Sequence, residues 1–422
     1  MAAAPTASNT RSTAAPSMRT WLGVLTLALG AAIIVTTEFI PVGFLPAVAA
    51  DFDVSLGAAG LMVLVPGLSA AVAAPLVIVG AGGLDRRRLI LALGVLVALS
   101  NAIAAVAPSL PAILLARVFL GVAIGGFWAV VPPLGVRLVG AELGTRATSI
   151  ILAGLSAGTV VGLPAGQLFG HLVGWRATFA GAAGAAVLIV VAQLVLLPRI
   201  PPAGSMRFSH LRAVFRVPIA RTTILAGAVA TVGQFAASTF VTPFLLDDVH
   251  MRFGSATMLF LGYGIAGIFG TLIGSALVAR SRIWTFVGAA GGFGVVLVVA
   301  PFLDGLPGLV AVLFVAWGLI WGLVPLALQT LMLTATPDAP EASAAVLMSV
   351  LQLAIAVGSA LGGLLVDSAG LQAVFVAAGI TAIAAAIIAA VWRRGIHGPG
   401  SHPSIASSLA MASKRMPGAT GR

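Results

Sequence analysis

The sequence predicts an all-α polytopic membrane protein, with twelve transmembrane helices arranged as two pseudo-symmetric six-helix bundles. Three observations carry that expectation. The 422 residues are 60% hydrophobic and 8% charged, whereas soluble domains carry about 25% charged residues. Apolar stretches long enough to cross a ~30 Å hydrocarbon layer recur along the chain. Landmarks of the first half also return in the second at a fixed separation.

The first stretch runs from Trp21 to about Ala49 and contains one ionisable group, Glu38. Further apolar segments follow near 57–80, 89–107, 112–137, 147–170 and 177–197, then near 222–246, 255–279, 283–303, 308–334, 342–366 and 371–392. These divide the chain into a disordered tail (1–18), a first bundle (19–197), a cytoplasmic linker (198–218), a second bundle (219–392) and a polar tail (393–422). The Ala-, Ser-, Thr- and Pro-rich start also fits a transit peptide. Arg212 and Arg216 in the linker, four apart, suit either a short interfacial helix or a charged connection.

Arginines collect in alternate loops. One set holds Arg86, Arg87, Arg88, Arg137, Arg146, the linker arginines, Arg280, Arg282, Arg393 and Arg394. The opposite set holds Asp51, Asp53, Asp247, Asp248, Asp304 and Asp367, with Arg176 and Arg252 as its basic residues. The positive-inside rule then puts both termini in the cytoplasm, and a net charge of +11 reflects this asymmetry and not a nucleic-acid partner.

A shift of 196 residues lays Glu38-Phe39 over Gln234-Phe235, Asp51 over Asp247, Arg86 over Arg282, and Gly162 through Phe179 over Gly358 through Phe375. Such a parallel repeat predicts two halves of one orientation that rock around a shared cavity.

Glu38 is the candidate functional residue. An acid at mid-bilayer costs ~2.5 kcal/mol or more and normally faces a wet cavity or a partner; a low-dielectric setting favours its protonated form. The bland alternative is a Glu that only hydrogen-bonds a neighbouring helix. Nearby Pro41, Gly43 and Pro46 free backbone groups, which a membrane tolerates where protein or a cavity re-satisfies them. Around it, Thr37, Phe39, Trp128, Gln234, Phe235, Trp317, Trp321 and Gln329 are candidates to line a cavity for a planar or amphipathic solute.

Other chemistries are excluded. There is no Cys, hence no disulfide framework or thiolate site. No His pair has helical ligand spacing, so no metal is expected. Gly154-Leu155-Ser156-Ala157-Gly158 matches a hydrolase pattern but lies inside an apolar helix, without the strand-to-helix turn that the chemistry needs. Gly80-Ala81-Gly82-Gly83 has no preceding strand and is not a nucleotide loop. Neither an enzyme nor a cofactor is expected.

Four segments carry a family resemblance: Thr37-Glu38-Phe39-Ile40-Pro41-Val42-Gly43-Phe44-Leu45-Pro46; Leu115 through Trp128 with Arg117, Gly121 and Gly125; Gly158 through Gly166; and Gly174-Trp175-Arg176-Ala177-Thr178-Phe179. Together they resemble major facilitator superfamily transporters, in particular the twelve-span drug:proton antiporter group of bacterial drug, sugar and purine ribonucleoside exporters. The resemblance implies that Arg117 joins Glu38 in proton coupling. On its own terms Arg117, roughly 9 Å below the outer boundary, can equally snorkel outward. It also implies that Gly158, Gly162, Pro164 and Gly166, with their repeat partners Gly358 and Gly362, permit close helix contact at the half-to-half interface; pure packing is the alternative. Here the family's adjacent Gly-Pro is split by Leu163. The loop ending Asp85-Arg86-Arg87-Arg88 departs from the superfamily's loop signature, whose acid would fall on Gly82.

The expected molecule is therefore a monomeric, proton-coupled antiporter of the bacterial inner membrane that exports small organic molecules, with protons and the lipid bilayer as its other partners. The alternative is a sugar or other metabolite exporter, or a uniporter, of the same fold.

Overall fold

The computed structural model describes residues 17–81, 83–131, 134–201, 208–303, 305–336 and 340–396. The expected tails at 1–16 and 397–422, linker residues 202–207, Gly82 and Asp304 lie outside the described residues. Apolar composition without a second polar face drives nearly everything into long helices: α1 (Met18–Gly43), α2 (Leu45–Asp51), α3 (Leu56–Gly80), α4 (Arg86–Val106), α5 (Leu110–Val130), α6 (Leu134–Val139), α7 (Ala141–Leu172) and α8 (Trp175–Leu196). A linker helix, α9 (Phe208–Val214), leads to α10 (Pro218–Thr239), α11 (Val241–Pro243), α12 (Phe253–Arg280), α13 (Arg282–Val299), α14 (Pro307–Trp321), α15 (Leu323–Ala335) and α16 (Pro340–Ile396). Eleven described segments are long and apolar enough to cross a membrane, and the last of them, 50 residues long, breaks at Gly370 into two. That makes twelve crossings.

Backbone irregularities follow the repeat. Gly174 and Gly370, one shift apart, both adopt φ of 84° and turn the chain between the fifth and sixth crossings of each half; a side chain there would be strained. α1 ends at Phe44 and α10 at Phe240, again one shift apart, and each continues into a short offset helix. Asp85 and Ser281 likewise stand as the N-caps of α4 and α13. Asp85 accepts from the backbone N–H of Arg87 at 2.9 Å and of Arg88 at 3.2 Å, so it serves as a helix cap.

Arginines at one end of the molecule hydrogen-bond backbone carbonyls. Arg19 donates to Val195 O at 2.9 Å, Arg87 donates to Leu194 O, and Arg137 reaches Pro201 O at 2.5 Å. The first two cover the last carbonyls of α8, where the helix dipole also favours positive charge. At the opposite, acidic end Arg176 forms an ion pair with Asp51 and lies 4.1 Å over the Trp175 ring. Thus a basic exception in the acidic loops is already paired.

Within each half the central contacts are α1 on α7 and α10 on α16; between halves α3 packs on α16 and α7 on α12. The acidic end is tied across the halves. The Asp367 carboxylate accepts from Ser55 Oγ at 2.6 Å and from Gly57 N at 3.0 Å, at the start of α3. Its repeat counterpart His171 stacks on Phe253, at the start of α12, with ring centroids 4.0 Å apart. Ser359 Oγ donates to Gly60 O at 2.9 Å and Thr242 Oγ1 to Val42 O at 2.7 Å. The Val42 carbonyl is available because it is one of the last four of α1, which have no donor within their own helix.

Asp367→Ala removes two exposed, charge-assisted bonds worth about 1 kcal/mol together. The closed-to-open ratio at the acidic end is expected to fall about fivefold. Spin labels on cysteines placed at exposed Ala50 and Ser368, in a chain with no cysteine of its own, should then report a longer-distance population by pulsed electron resonance.

Candidate functional site

α1 carries one proline near its end, Pro41, and the short α2 carries Pro46; each omits one backbone donor. Pro41 lies inside the helix; in an unbroken helix its N–H would bond the carbonyl of residue 37. The freed Thr37 carbonyl instead accepts from Arg117 Nη1 at 3.1 Å. Arg117, on α5, is completely buried and its guanidinium lies 4.8 Å from the Phe179 ring centroid. Its Nε and Nη2 have no hydrogen-bond partner in the protein. Arg117 therefore turns into the bundle and does not snorkel.

Glu38 follows Thr37 and is 6% exposed. Its Oε1 is buried without a protein partner, while the carboxyl interacts with the Gln352 side chain and lies within electrostatic reach of Arg117. No hydrogen-bonded ion pair joins Glu38 and Arg117 among the described residues. The two are held side by side through Thr37, on adjacent but unpaired terms. Thr37 is shared by a third helix: Asn101 on α4 donates from Nδ2 to Thr37 Oγ1 at 3.3 Å and to Val97 O at 2.9 Å, while its Oδ1 has no protein partner.

The second half fills the corresponding position differently. Gln234, the repeat counterpart of Glu38, accepts from Trp317 Nε1 at 2.7 Å and donates to the Tyr263 hydroxyl at 2.9 Å. Trp317 is 2% exposed, and Phe314 and Tyr263 pack edgewise or tilted around it. In this conformation that triad satisfies itself inside its bundle.

Between the halves a narrow cleft is lined by Ala70 and Ala74 of α3, by Ile124, Gly125, Trp128 and Ala129 of α5, and by Ala345, Met348 and Gln352 of α16. Phe39 and Phe235 stack across the halves at 6.0 Å and 20°. Trp321 is half-buried against Phe293 at 5.4 Å, and Gln329 is exposed. The structure thus brings Thr37, Glu38 and Arg117 together, sets Trp128 on the cleft, keeps Gln234 and Trp317 inside the second bundle, and leaves Gln329 apart from them.

The glycines expected at the half-to-half interface make their closest contacts within each half. A Cβ on Gly158 would meet Ala32 O at 2.6 Å, and one on Gly162 would meet Phe39 Cβ at 3.2 Å; one on Gly166 would run into the Ile40 backbone. Gly358 and Gly362 press in the same way on Val232 and Ala236 of α10. Pro164 is buried within α7. These small residues let α7 ride on α1, and α16 on α10, backbone to backbone.

Sequence reading missed Asn101, Gln352 and Tyr263. Each is a lone polar side chain within an apolar run, and Tyr263 is the only tyrosine. That was the available signal, although it does not say which way a helix turns.

The family model for the Major Facilitator Superfamily matches residues 27–349 and 223–413 of the chain. The transcription regulatory protein OpdE of Pseudomonas aeruginosa is 32% identical over 374 residues, covering 87% of this chain and 92% of the relative. The purine ribonucleoside efflux pump NepI of Salmonella paratyphi B is 30% identical over 382 residues, covering 88% and 94%. Among solved structures, the human organic anion transporter MFSD10 (TETRAN) superposes with a TM-score of 0.65 at 16% identity, covering 89% of this chain and all of that one. A D-xylose–proton symporter gives a TM-score of 0.67 at 16% identity, covering 87% and 96%.

Trp317→Phe would leave the Gln234 carbonyl oxygen buried without a donor, at a cost of about 1–3 kcal/mol. A lower melting temperature in detergent is expected for it, with Gln329→Ala melting as wild type does.

Proposed function

The chain belongs to the major facilitator superfamily and is a multi-pass membrane transporter, and from that premise we propose that it is a proton-coupled antiporter that exports small drug-like or nucleoside-like molecules by alternating access. The observation that carries this reading is the buried carboxyl of Glu38, next to a guanidinium that it does not bind and beside the cleft between the halves. A carboxyl without a fixed counter-ion can exist in both protonation states, whereas a salt-bridged one stays ionised. Efflux of purine ribonucleosides by a relative at 30% identity supports the direction and the solute class.

The arginine end is taken as cytoplasmic in a bacterial inner membrane, with both termini on that side. Ties at the acidic end then correspond to a state closed to the outside. Glu38 takes a proton when the outer side opens and yields it inward as solute is loaded, with Arg117 as the nearby charge and Thr37, Phe39 and Trp128 near the path. Gln234, Phe235, Trp317 and Trp321 are the second half's contribution when the halves rock. Each inward elementary charge draws ~2.3 kcal/mol from 100 mV of membrane potential, enough for tens-fold export without ATP.

Adenosine and guanosine, with a panel of drug-like cations, are the probes to use in proteoliposomes under an imposed pH gradient. Glu38→Gln is expected to lower gradient-driven flux at least tenfold while probe binding persists. Undiminished gradient-driven flux in that variant overturns the carrier role. Flux in the wild type that ignores the gradient would instead mark the uniporter or metabolite-exporter alternative.

A further inference from the structure

Arg117 is buried, charged and hydrogen-bonded in the protein through Nη1 alone. Its acceptor is a backbone carbonyl whose regular helical donor is missing because residue 41 is a proline. Beside it lies a carboxylate oxygen with no protein partner. A desolvated guanidinium next to a carboxylate is strongly drawn into an ion pair unless another acceptor competes for it. Here one does, and it comes from the residue immediately before Glu38.

We propose that Pro41 is a positioning residue for proton coupling: by releasing the Thr37 carbonyl it gives Arg117 a resting place off Glu38, so that the acid remains free to bind and release a proton. This rests on the reading of Glu38 as the carrier. When Glu38 is ionised, the guanidinium has two acceptors to move between. When a proton from the aqueous side adds to the carboxylate oxygen, the neutral acid holds Arg117 less, and the carbonyl keeps it; the guanidinium stays charged throughout. Asn101 steadies the shared residue by holding the Thr37 hydroxyl.

Among the described residues Arg117 is the charged group acting on Glu38; α16 presents the neutral amide Gln352 to it, α4 holds Asn101 on the neighbouring Thr37, and Gln167 of α7 lies by Gly43. Gln193 of α8 is engaged at the Thr26 carbonyl, about three turns away. Arg146 sits over Trp21 at the far end of α1.

The test needs no substrate. In purified protein, the protonated-carboxyl infrared band that is lost in Glu38→Gln is titrated against pH. Pro41→Ala restores an N–H that takes the Thr37 carbonyl, and it is expected to fold, since removing an interior proline favours a helix. Arg117 then moves onto Glu38, and the proton concentration for half-protonation rises about tenfold or more. Pro41→Gly restores the same donor and is expected to shift the titration likewise. Pro46→Ala restores an N–H in the first turn of the short helix that follows, away from the Thr37 carbonyl, and should leave the titration in place. A wild-type midpoint in both Pro41 variants, or an equal shift in Pro46→Ala, overturns the proposal while leaving Glu38 as carrier. If no band depends on Glu38, the carrier reading and this inference both fall.

Discussion

One hydrogen bond organises the first half: the Arg117 guanidinium on the Thr37 carbonyl. A fully buried arginine needs acceptors, and in a membrane helix each carbonyl already holds the N–H four residues on, which leaves a weaker second site. Pro41 breaks that rule at one position. The consequence is a cation anchored in the membrane interior beside an acid, without neutralising it.

The two halves share a backbone plan and differ in how polar groups are satisfied. Gly174 and Gly370 turn the chain identically, and α1 and α10 bend at matching positions. In the second half Gln234, Tyr263 and Trp317 close a hydrogen-bonded set. In the first, Glu38, Asn101, Arg117 and Gln167 all retain buried polar atoms with no protein partner among the described residues. Such atoms cost about 1–3 kcal/mol each when left dry, a cost that the second half's closed set avoids. The repeat supplies a frame, and a handful of substitutions make one copy ionic and the other neutral.

The glycines serve that frame. They let α7 lie on α1 and α16 on α10 within each half, and Gly57, Gly67 and Gly363 bring α3 equally close to α16 across the halves, with α7 on α12 as the second seam. Ties at those seams and beside them use one carboxylate, one imidazole face and two hydroxyls on buried carbonyls. They are individually weak, as suits contacts that the proposed cycle would break.

By itself the sequence determined the twelve crossings, the arginine-rich and acidic faces, the 196-residue repeat and the singular position of Glu38. These follow from composition, from hydropathy and from the cost of a charge in hydrocarbon, all of which are local to the residues concerned. Only the tertiary structure decided that Arg117 rests on Thr37 and not on Glu38, that Asn101 and Gln352 join the site, that Gly158, Gly162, Gly166, Gly358 and Gly362 pack within halves, and that Gln234 is occupied by Trp317 and Tyr263. Those outcomes depend on how far each helix is rotated about its axis. Helices that are apolar on nearly every face give no amphipathic stripe to fix that rotation, so it is set by which backbones can approach most closely.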